Sequence, residues 1–211
     1  VTLRTYKLGP SGLPAEVTSR EKPLLTAPVD LTLGERKLKW QRKLESSSDT
    51  KAIWTATAKE GGVELKLKTT LEYDGALIYE LTLAPGTLSN LVVNIPYRLD
   101  LARTRNGKVM KPEDKPVAVK TFEPEWSVGE FETGFHWYCE WDRYWQIGKL
   151  PVCEMTENGK TLDWKVRLIG AEGRTLKAPE TITFVLQAEP VREVDVSYQY
   201  QNRHLYGASG V

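Results

Sequence analysis

Apolar and polar residues alternate along much of the chain with the two-residue period of half-buried β-strands. The clearest run places Leu162, Trp164, Val166 and Leu168 on one face, with polar residues between them. Three further sets follow the same pattern: 182–188, 194–200, and Leu38 with Trp40 and Leu44. Helical periodicity is scarce, so we predict an all-β chain.

The central hairpin is specified in more detail, because residues 63–73 and 77–83 both alternate around Asp74-Gly75. A two-residue turn over Asp74 and Gly75 would put the two apolar sets on opposite faces of the sheet. A three-residue loop that also includes Tyr73 keeps them together and puts Gly75 at the left-handed position of a type I turn with a bulge. This register predicts two cross-strand pairs: Leu71 with Leu77, and Lys68 with Glu80.

Turn signals recur at intervals that suit an antiparallel fold. They are Gly61-Gly62, Asp74-Gly75, Pro85-Gly86, Asn106-Gly107, Asn158-Gly159 and Glu172-Gly173. Long neighbouring strands favour a large two-sheet antiparallel β-sandwich of the supersandwich type. We predict one sandwich domain over 1–200, a tail or linker over 201–211, and an exposed loop over 105–117. The first 20 residues either close the first sheet or lie across it.

Charge and composition exclude several partners. The chain of 211 residues carries 29 basic and 28 acidic side chains without a basic stripe, which disfavours nucleic acid and anionic membranes. No apolar run reaches the roughly 20 residues of a membrane span, and no signal peptide is recognisable. Because the first residue is Val, we expect a mature form or a piece of a longer protein.

Cofactor and metal chemistry have little support in the sequence. His136 and His204 are the only histidines and form no metal-binding motif, and no phosphate loop or dinucleotide fingerprint occurs. We therefore predict no metal and no cofactor. Cys139 and Cys153 either form a disulfide or remain buried thiols, and the second alternative is the commoner one.

Residues 122–148 are the segment with candidate chemistry, because four of the seven tryptophans lie there among charged residues. Sugars are bound by such combinations, in which a ring face packs on an aromatic side chain and polar groups satisfy the hydroxyls. We predict a carbohydrate-binding site from eight residues: Trp141, Trp145, Asp142, Arg143, Glu140, Trp126, His136 and Tyr144.

Structural interpretations compete with this one. A strand over 133–139 would place Trp137 in the core, and His136 alone is more often a structural histidine. We predict a turn at Glu140–Arg143 and expect the indole rings near Trp141, including that of Trp145, to point into water. The charged residues of this turn also suit a local ion pair or a turn cap. Glycoside hydrolysis needs two carboxyl groups, and Glu130 with Glu132, or Glu140 with Asp142, are the candidate pairs. Nothing in the sequence positions a water or leaving group beside them, so we predict no catalytic residues.

The sequence GEFETGFHWYCEWDRYW resembles a G-[D/x]-x-x-x-G-L-x-W-F-x-E-S-D-x-x-W signature of bacterial proteins similar to family 123 glycoside hydrolases, within their N-terminal β-sandwich. The matching positions are Gly129, Gly134, Trp137, Glu140, Asp142 and Trp145. Four other segments resemble that sandwich in the same order: 22–33, 69–86, 91–98 and 182–192. The chain departs from the signature at Trp141, where a small Ser is usual, and at His136 and Tyr144.

In such proteins a larger barrel follows the sandwich and carries the acidic catalytic pair. The resemblance therefore implies a noncatalytic accessory domain, with carbohydrate as its ligand and the barrel or a second copy of the chain as its partner. We expect an extracellular or periplasmic location. Two alternatives stay open: a structural module that docks on a catalytic barrel or forms oligomers, and a sugar-active enzyme, such as an epimerase or lyase, on a sandwich scaffold.

Overall fold

The structure is a computed structural model and describes residues 3–34, 36–60, 62–130, 133–143, 145 and 148–190. In this part of the chain every regular element is a strand except the 3₁₀ turn Leu99–Leu101. The strands are β1 (Arg4–Leu8), β2 (Pro14–Ser19), β3 (Lys22–Pro23), β4 (Asp30–Leu33), β5 (Arg36–Lys37), β6 (Gln41–Ser47), β7 (Lys51–Glu60), β8 (Val63–Glu72), β9 (Leu77–Leu83), β10 (Gly86–Leu88), β11 (Leu91–Arg98), β12 (Thr104–Arg105), β13 (Lys108–Val109), β14 (Val117–Val119), β15 (Glu125–Gly129), β16 (Gly134–Tyr138), β17 (Cys153–Asn158), β18 (Thr161–Ile169), β19 (Arg174–Leu176) and β20 (Glu180–Glu189).

Two large antiparallel sheets dominate the architecture. One has nine strands in the order β13-β12-β15-β16-β20-β9-β8-β7-β6, and the other has six in the order β14-β17-β18-β11-β4-β5. Side chains from both sheets join one core, and Phe135 of the first meets Trp164 of the second edge-on at a ring-centroid distance of 6.5 Å. The all-β fold and the two-sheet sandwich predicted from the sequence are thus confirmed.

The β8–β9 hairpin has the predicted three-residue loop. Leu71 pairs with Leu77, the Ala76 carbonyl accepts a hydrogen bond from the Glu72 amide, and Gly75 has a φ of +85°. Lys68 and Glu80 form the predicted cross-strand pair, with their charged atoms 2.5 Å apart. The register is therefore set by the need to keep both apolar sets on the core face.

Strands β1, β2 and β3 form a small separate sheet. Arg4 attaches this sheet to the sandwich. Its guanidinium donates a hydrogen bond of 2.8 Å to the Ala188 carbonyl and one of 2.5 Å to the Asp74 carbonyl. The Tyr6 hydroxyl accepts from the Ala188 amide at 2.9 Å. The first residues thus form a sheet of their own that contacts β8, β9 and β20 of the nine-stranded sheet.

Two sequence predictions need correction in the described part of the chain. Leu44 is 52% exposed rather than buried with Leu38, because β6 lies at the edge of its sheet and all its residues are exposed. The segment 105–117 is mostly exposed, but its first residue, Arg105, is buried and pairs with Glu157 at 2.6 Å.

Cys139 and Cys153 are free and buried, so they form no disulfide.

Several predictions fall on the C-terminal residues. The alternating run 194–200 and the tail 201–211 lie outside the described residues. The division into a domain over 1–200 and a tail therefore stays a prediction.

Candidate functional site

An aromatic cluster forms the floor beneath the predicted site. Trp126 and Trp137 are neighbours on β15 and β16, with centroids 6.4 Å apart, and both are fully buried. Phe122 packs edge-on against Trp126 at 6.3 Å. Trp126 therefore belongs to the core and is removed from the ligand-binding set, because a ligand would have to displace the sandwich interior to reach it.

Trp145 also turns inward. Its ring lies 6.2 Å from those of Trp126 and Trp137 and 5.5 Å from Phe122, and its indole nitrogen is buried. The backbone explains this direction, since the Trp145 amide donates 2.8 Å to the Asp142 carbonyl and closes a turn that leads the chain back to the cluster. The expectation that this indole points into water is wrong.

Trp141 stands outside this cluster, and 60% of its surface is exposed. Cys139 anchors the turn before it: its amide donates 2.8 Å to the Pro124 carbonyl. Its sulfur lies 3.2 Å from the carbonyl oxygens of both Trp141 and Thr183. The buried thiol thus ties the start of the turn to β20 and leaves the indole in solvent, as the sequence interpretation requires.

A groove of about 470 Å³ runs beside this indole, within the usual size range of small-molecule sites. We call it the Trp141 groove. Its lining residues are Pro124, Tyr138, Cys139, Glu140, Trp141, Thr183, Phe184 and Val185. It combines an exposed indole, a phenol, a carboxylate and a threonine with apolar side chains.

The Tyr138 phenol and the Cys139 thiol in the groove have raised pKa values. Burial, followed by the charges of Glu125 and Glu189, raises the pKa of Tyr138 to about 12. Burial raises the pKa of the Cys139 thiol to about 11, and the charges of Asp142 and Glu140 act in the same direction against a hydrogen bond to the Trp141 backbone. At neutral pH the groove therefore presents a protonated phenol and an unreactive thiol.

His136 lies on the outer face of β16 between two carboxylates. Its Nδ1 is 3.0 Å from Glu125 Oε1 and its Nε2 is 3.1 Å from Glu189 Oε1, and its ring stacks on Tyr138 with centroids 5.5 Å apart. A neutral imidazole has one N–H, so only the imidazolium donates to both carboxylates. Burial alone would lower the pKa of His136, but the hydrogen bonds and charges of Glu189 and Glu125 outweigh it and raise the pKa.

The contacts of His136 with Glu125 and Glu189 should stabilise the fold in a pH-dependent way. Because the folded pKa of His136 lies above its ordinary 6.5, the stabilisation is fully present below that value and is lost as pH rises through the folded pKa. We expect His136→Gln to cost about 1 kcal/mol of unfolding free energy near pH 6 and less near pH 9. Urea unfolding of both proteins at the two pH values measures this difference.

His204 is present in wild type and variant, so its own titration cancels in the comparison. Glu189 sets the lower limit of the pH range in which the His136 contacts stabilise the fold. The reason is that contact with His136 lowers the pKa of the Glu189 carboxyl. A cost of His136→Gln that grew with rising pH would contradict the imidazolium assignment.

Glu140, Asp142 and Arg143 are exposed beside Trp141. Only Glu140 lines the groove, and ligand contact by all three stays a prediction. His136 does not line the groove and touches it through Tyr138. Tyr144 lies outside the described residues.

Three of the four carboxylates considered for catalysis lie in the described part of the chain. Glu130 is half-buried and its Oε1 lies 2.8 Å from the Lys22 ammonium, while its proposed partner Glu132 lies outside the described residues. Glu140 and Asp142 are both exposed on the turn.

Thr183 and Val185 of β20, with Pro124, are lining residues that the sequence interpretation missed. Alternation with buried Phe184 indicates that Thr183 and Val185 face outward. The pairing of β16 with β20, including Tyr138 opposite Val185, joins segments too far apart in the sequence for that pattern to reveal.

Among the described residues, no three His, Cys, Asp or Glu side chains gather as a metal site. No helix in this part of the chain is long and apolar enough to span a membrane.

The sequence model described as "Glycoside hydrolase 123, third domain" matches residues 1–147, more than half of the chain. The sequence resemblance pointed to this family through an N-terminal sandwich. The family is confirmed, and the place of the domain in a longer protein stays a prediction. No curated protein sequence matches the chain.

Solved structures share the fold at low sequence identity. A heparan sulfate lyase HepC mutant from Pedobacter heparinus is 9% identical with a TM-score of 0.54, over 88% of this chain and 31% of that one. Heparinase III, the BT4657 gene product, is 9% identical with a TM-score of 0.51, over 90% and 32%. The chain thus spans about a third of the length of these structures, and the likeness is one of fold.

Proposed function

This chain belongs to the glycoside hydrolase 123 family, and on that premise we propose that it is a noncatalytic accessory domain that binds glycan in the Trp141 groove. The observation that carries the proposal is the exposed indole of Trp141 beside a mainly apolar groove that also presents a phenol, a carboxylate and a threonine hydroxyl. A large aromatic ring that stays in solvent forgoes burial worth about 2 kcal/mol or more. A ligand that covers the ring would recover that free energy.

The groove has the parts that a sugar requires. The indole of Trp141 offers a face for the C–H side of a pyranose ring. Glu140 accepts hydrogen bonds, and the Thr183 hydroxyl and the Tyr138 phenol both donate and accept them. Because Cys139 fixes the turn to β20, these groups are positioned before a ligand arrives, which reduces the ordering cost of binding.

Trp141→Ala tests the proposal. We expect glycan binding to weaken by about 1–3 kcal/mol, the usual range for an anchor aromatic side chain. Glycan-array screening of the wild-type protein, followed by calorimetric titration of the strongest ligand against both proteins, measures the change.

Leu44→Ala is the matched control, because Leu44 is also a large exposed apolar side chain but lies on β6, at the opposite edge of the sheet from β13. Its affinity should equal that of the wild type. Two results would refute glycan binding in this groove. One is that no plant, host or microbial glycan on the array binds, and the other is that both variants lose the same affinity.

A second candidate is docking of this domain on a catalytic domain of a longer protein. The specific observation is the family description, which names a third domain and so implies neighbours in the same chain. In that case the Trp141 face would bury against the neighbour, and Trp141→Ala would weaken association between the domains rather than glycan binding. A second copy of this chain is the other possible occupant, and sedimentation measures it directly.

Two finer points belong to the same proposal. An accessory role in glycan degradation fits a domain exposed to extracellular or periplasmic polysaccharide, and we propose that location. A sugar-active enzyme on this scaffold is the weaker alternative, since Glu130, a member of one candidate carboxylate pair, is engaged in an ion pair with Lys22.

A further inference from the structure

Carboxylates surround the Trp141 groove. Glu140 lines it, Asp142 follows on the same turn, and Glu125 and Glu189 flank His136 behind Tyr138. Among the described residues that line the groove there is no lysine or arginine. The His136 imidazolium offsets only one of its two flanking carboxylates. Arg143 brings a positive charge to the turn, but it does not line the groove.

The ionisable groups inside the groove feel this negative field. Apart from burial, which is the largest cause in both cases, carboxylates raise the pKa of Tyr138 and that of Cys139. The carboxylates differ between the two groups: Glu125 and Glu189 act on the phenol, whereas Asp142 and Glu140 act on the thiol. Different carboxylates thus lie close enough to act on the phenol and on the thiol.

The scarcity of cations is a local property. A second groove, near Leu25, is lined by Arg98 and Lys160 together with Asp100. The chain as a whole is close to neutral, with 29 basic and 28 acidic residues. The acidic surroundings of the Trp141 groove are thus a feature of that surface and do not follow from the net charge.

We propose that the Trp141 groove takes uncharged glycans and rejects glycans that carry carboxylate or sulfate groups. The inference rests on the proposed function, because it assigns a ligand class to the same groove. Hydroxyl groups donate to Glu140 without a charge conflict. An anionic substituent there meets like charge and finds no ammonium or guanidinium among the described residues that line the groove. Like-charge contact of this kind costs affinity.

The test compares a neutral oligosaccharide, taken from the array as the strongest ligand, with the same oligosaccharide oxidised to a carboxylate at one C6 position. Calorimetry at about 20 mM and about 500 mM NaCl measures both, because the higher salt shortens the range of surface electrostatics to a few ångströms. At low salt we expect the affinity for the carboxylated form to be at least about tenfold lower than that for the neutral form. This gap in affinity between the two forms should narrow at high salt. The affinity for the neutral form should not depend on the salt concentration.

Asp142→Asn supplies an independent arm. Removing this exposed charge should narrow the low-salt gap about twofold to threefold, the size of a surface charge interaction. Asp49→Asn is the matched control: Asp49 is an exposed aspartate in the turn between β6 and β7. Strands β20, β9, β8 and β7 separate that turn from β16, which amounts to roughly 20 Å across the sheet. The gap should not change in this variant.

The outcomes separate the two claims. Equal or tighter binding of the carboxylated form at low salt overturns the charge assignment and leaves glycan binding intact. Binding of neither form at any salt concentration overturns both.

Discussion

Replacing Trp137 by alanine is expected to destabilise the fold by about 3–5 kcal/mol, the usual cost of truncating a large core aromatic side chain. Trp137 is fully buried and stacks on Phe184, with centroids 4.4 Å apart and planes 8° from parallel. It also contacts Trp126 and Trp145, so its loss opens a cavity beneath the turn that carries Trp141. Urea unfolding monitored by circular dichroism measures the loss of unfolding free energy. An unchanged dependence of that free energy on urea concentration shows that the variant still unfolds in two states.

Trp141→Ala is the control, because it makes the same chemical change at a side chain that is 60% exposed. Its unfolding free energy should stay within about 0.5 kcal/mol of the wild type. If Trp137→Ala yields no folded protein, Trp137→Phe keeps a ring on Phe184 and should show a smaller loss in the same direction. Similar losses at positions 137 and 141 would contradict the assignment of one ring to the core and the other to solvent.

Arg4→Met is expected to destabilise by about 3 kcal/mol, since hydrogen bonds from a charged donor are among the stronger ones and their loss leaves buried acceptors unpaired. Methionine keeps most of the apolar stem but removes the donors to Ala188 and Asp74. These bonds attach β1 to β20 and to the tight turn at Gly75. Thermal unfolding and native-state hydrogen exchange measure the loss, and protection should fall first in β1 and β2.

Arg42→Met is the matched comparison. Arg42 is exposed and donates one 2.7 Å bond to the Gly9 carbonyl, so its loss should cost under about 1 kcal/mol. Equal effects of the two substitutions would show that burial of Arg4 adds nothing, and would contradict its role as the attachment of the small sheet.

Local features of the fold were predictable from the sequence. The β8–β9 register follows from two alternating runs and one glycine, because only a three-residue loop keeps Leu71 and Leu77 on the same face. Leu162 and Trp164 were placed inward by the same alternation, and both are fully buried. Strand order was not predictable, since β20 pairs with β9 and β16 across long stretches of chain. The attachment of the small sheet by Arg4 also has no periodic signal.

The candidate site was predictable in part. Charged residues around 140–143 indicated a turn, and Trp141 is exposed on it. Trp126 and Trp145 were misassigned because composition marks an aromatic-rich segment without saying which rings point inward. That direction depends on strand parity for Trp126 and on the backbone bond between Asp142 and Trp145 for the other ring. Side chains such as Thr183 entered the groove through tertiary pairing alone.

The central claim is that the exposed Trp141 ring carries recognition, rather than the tryptophans of the core. A two-dimensional ¹⁵N spectrum resolves the indole N–H signals of the seven tryptophans, and the signal that disappears in Trp141→Phe identifies that residue. On titration with the strongest neutral glycan, the Trp141 signal should shift in step with binding, while those of the fully buried Trp126, Trp137 and Trp164 stay in place. Glycan binding that leaves the Trp141 signal unmoved would contradict the account.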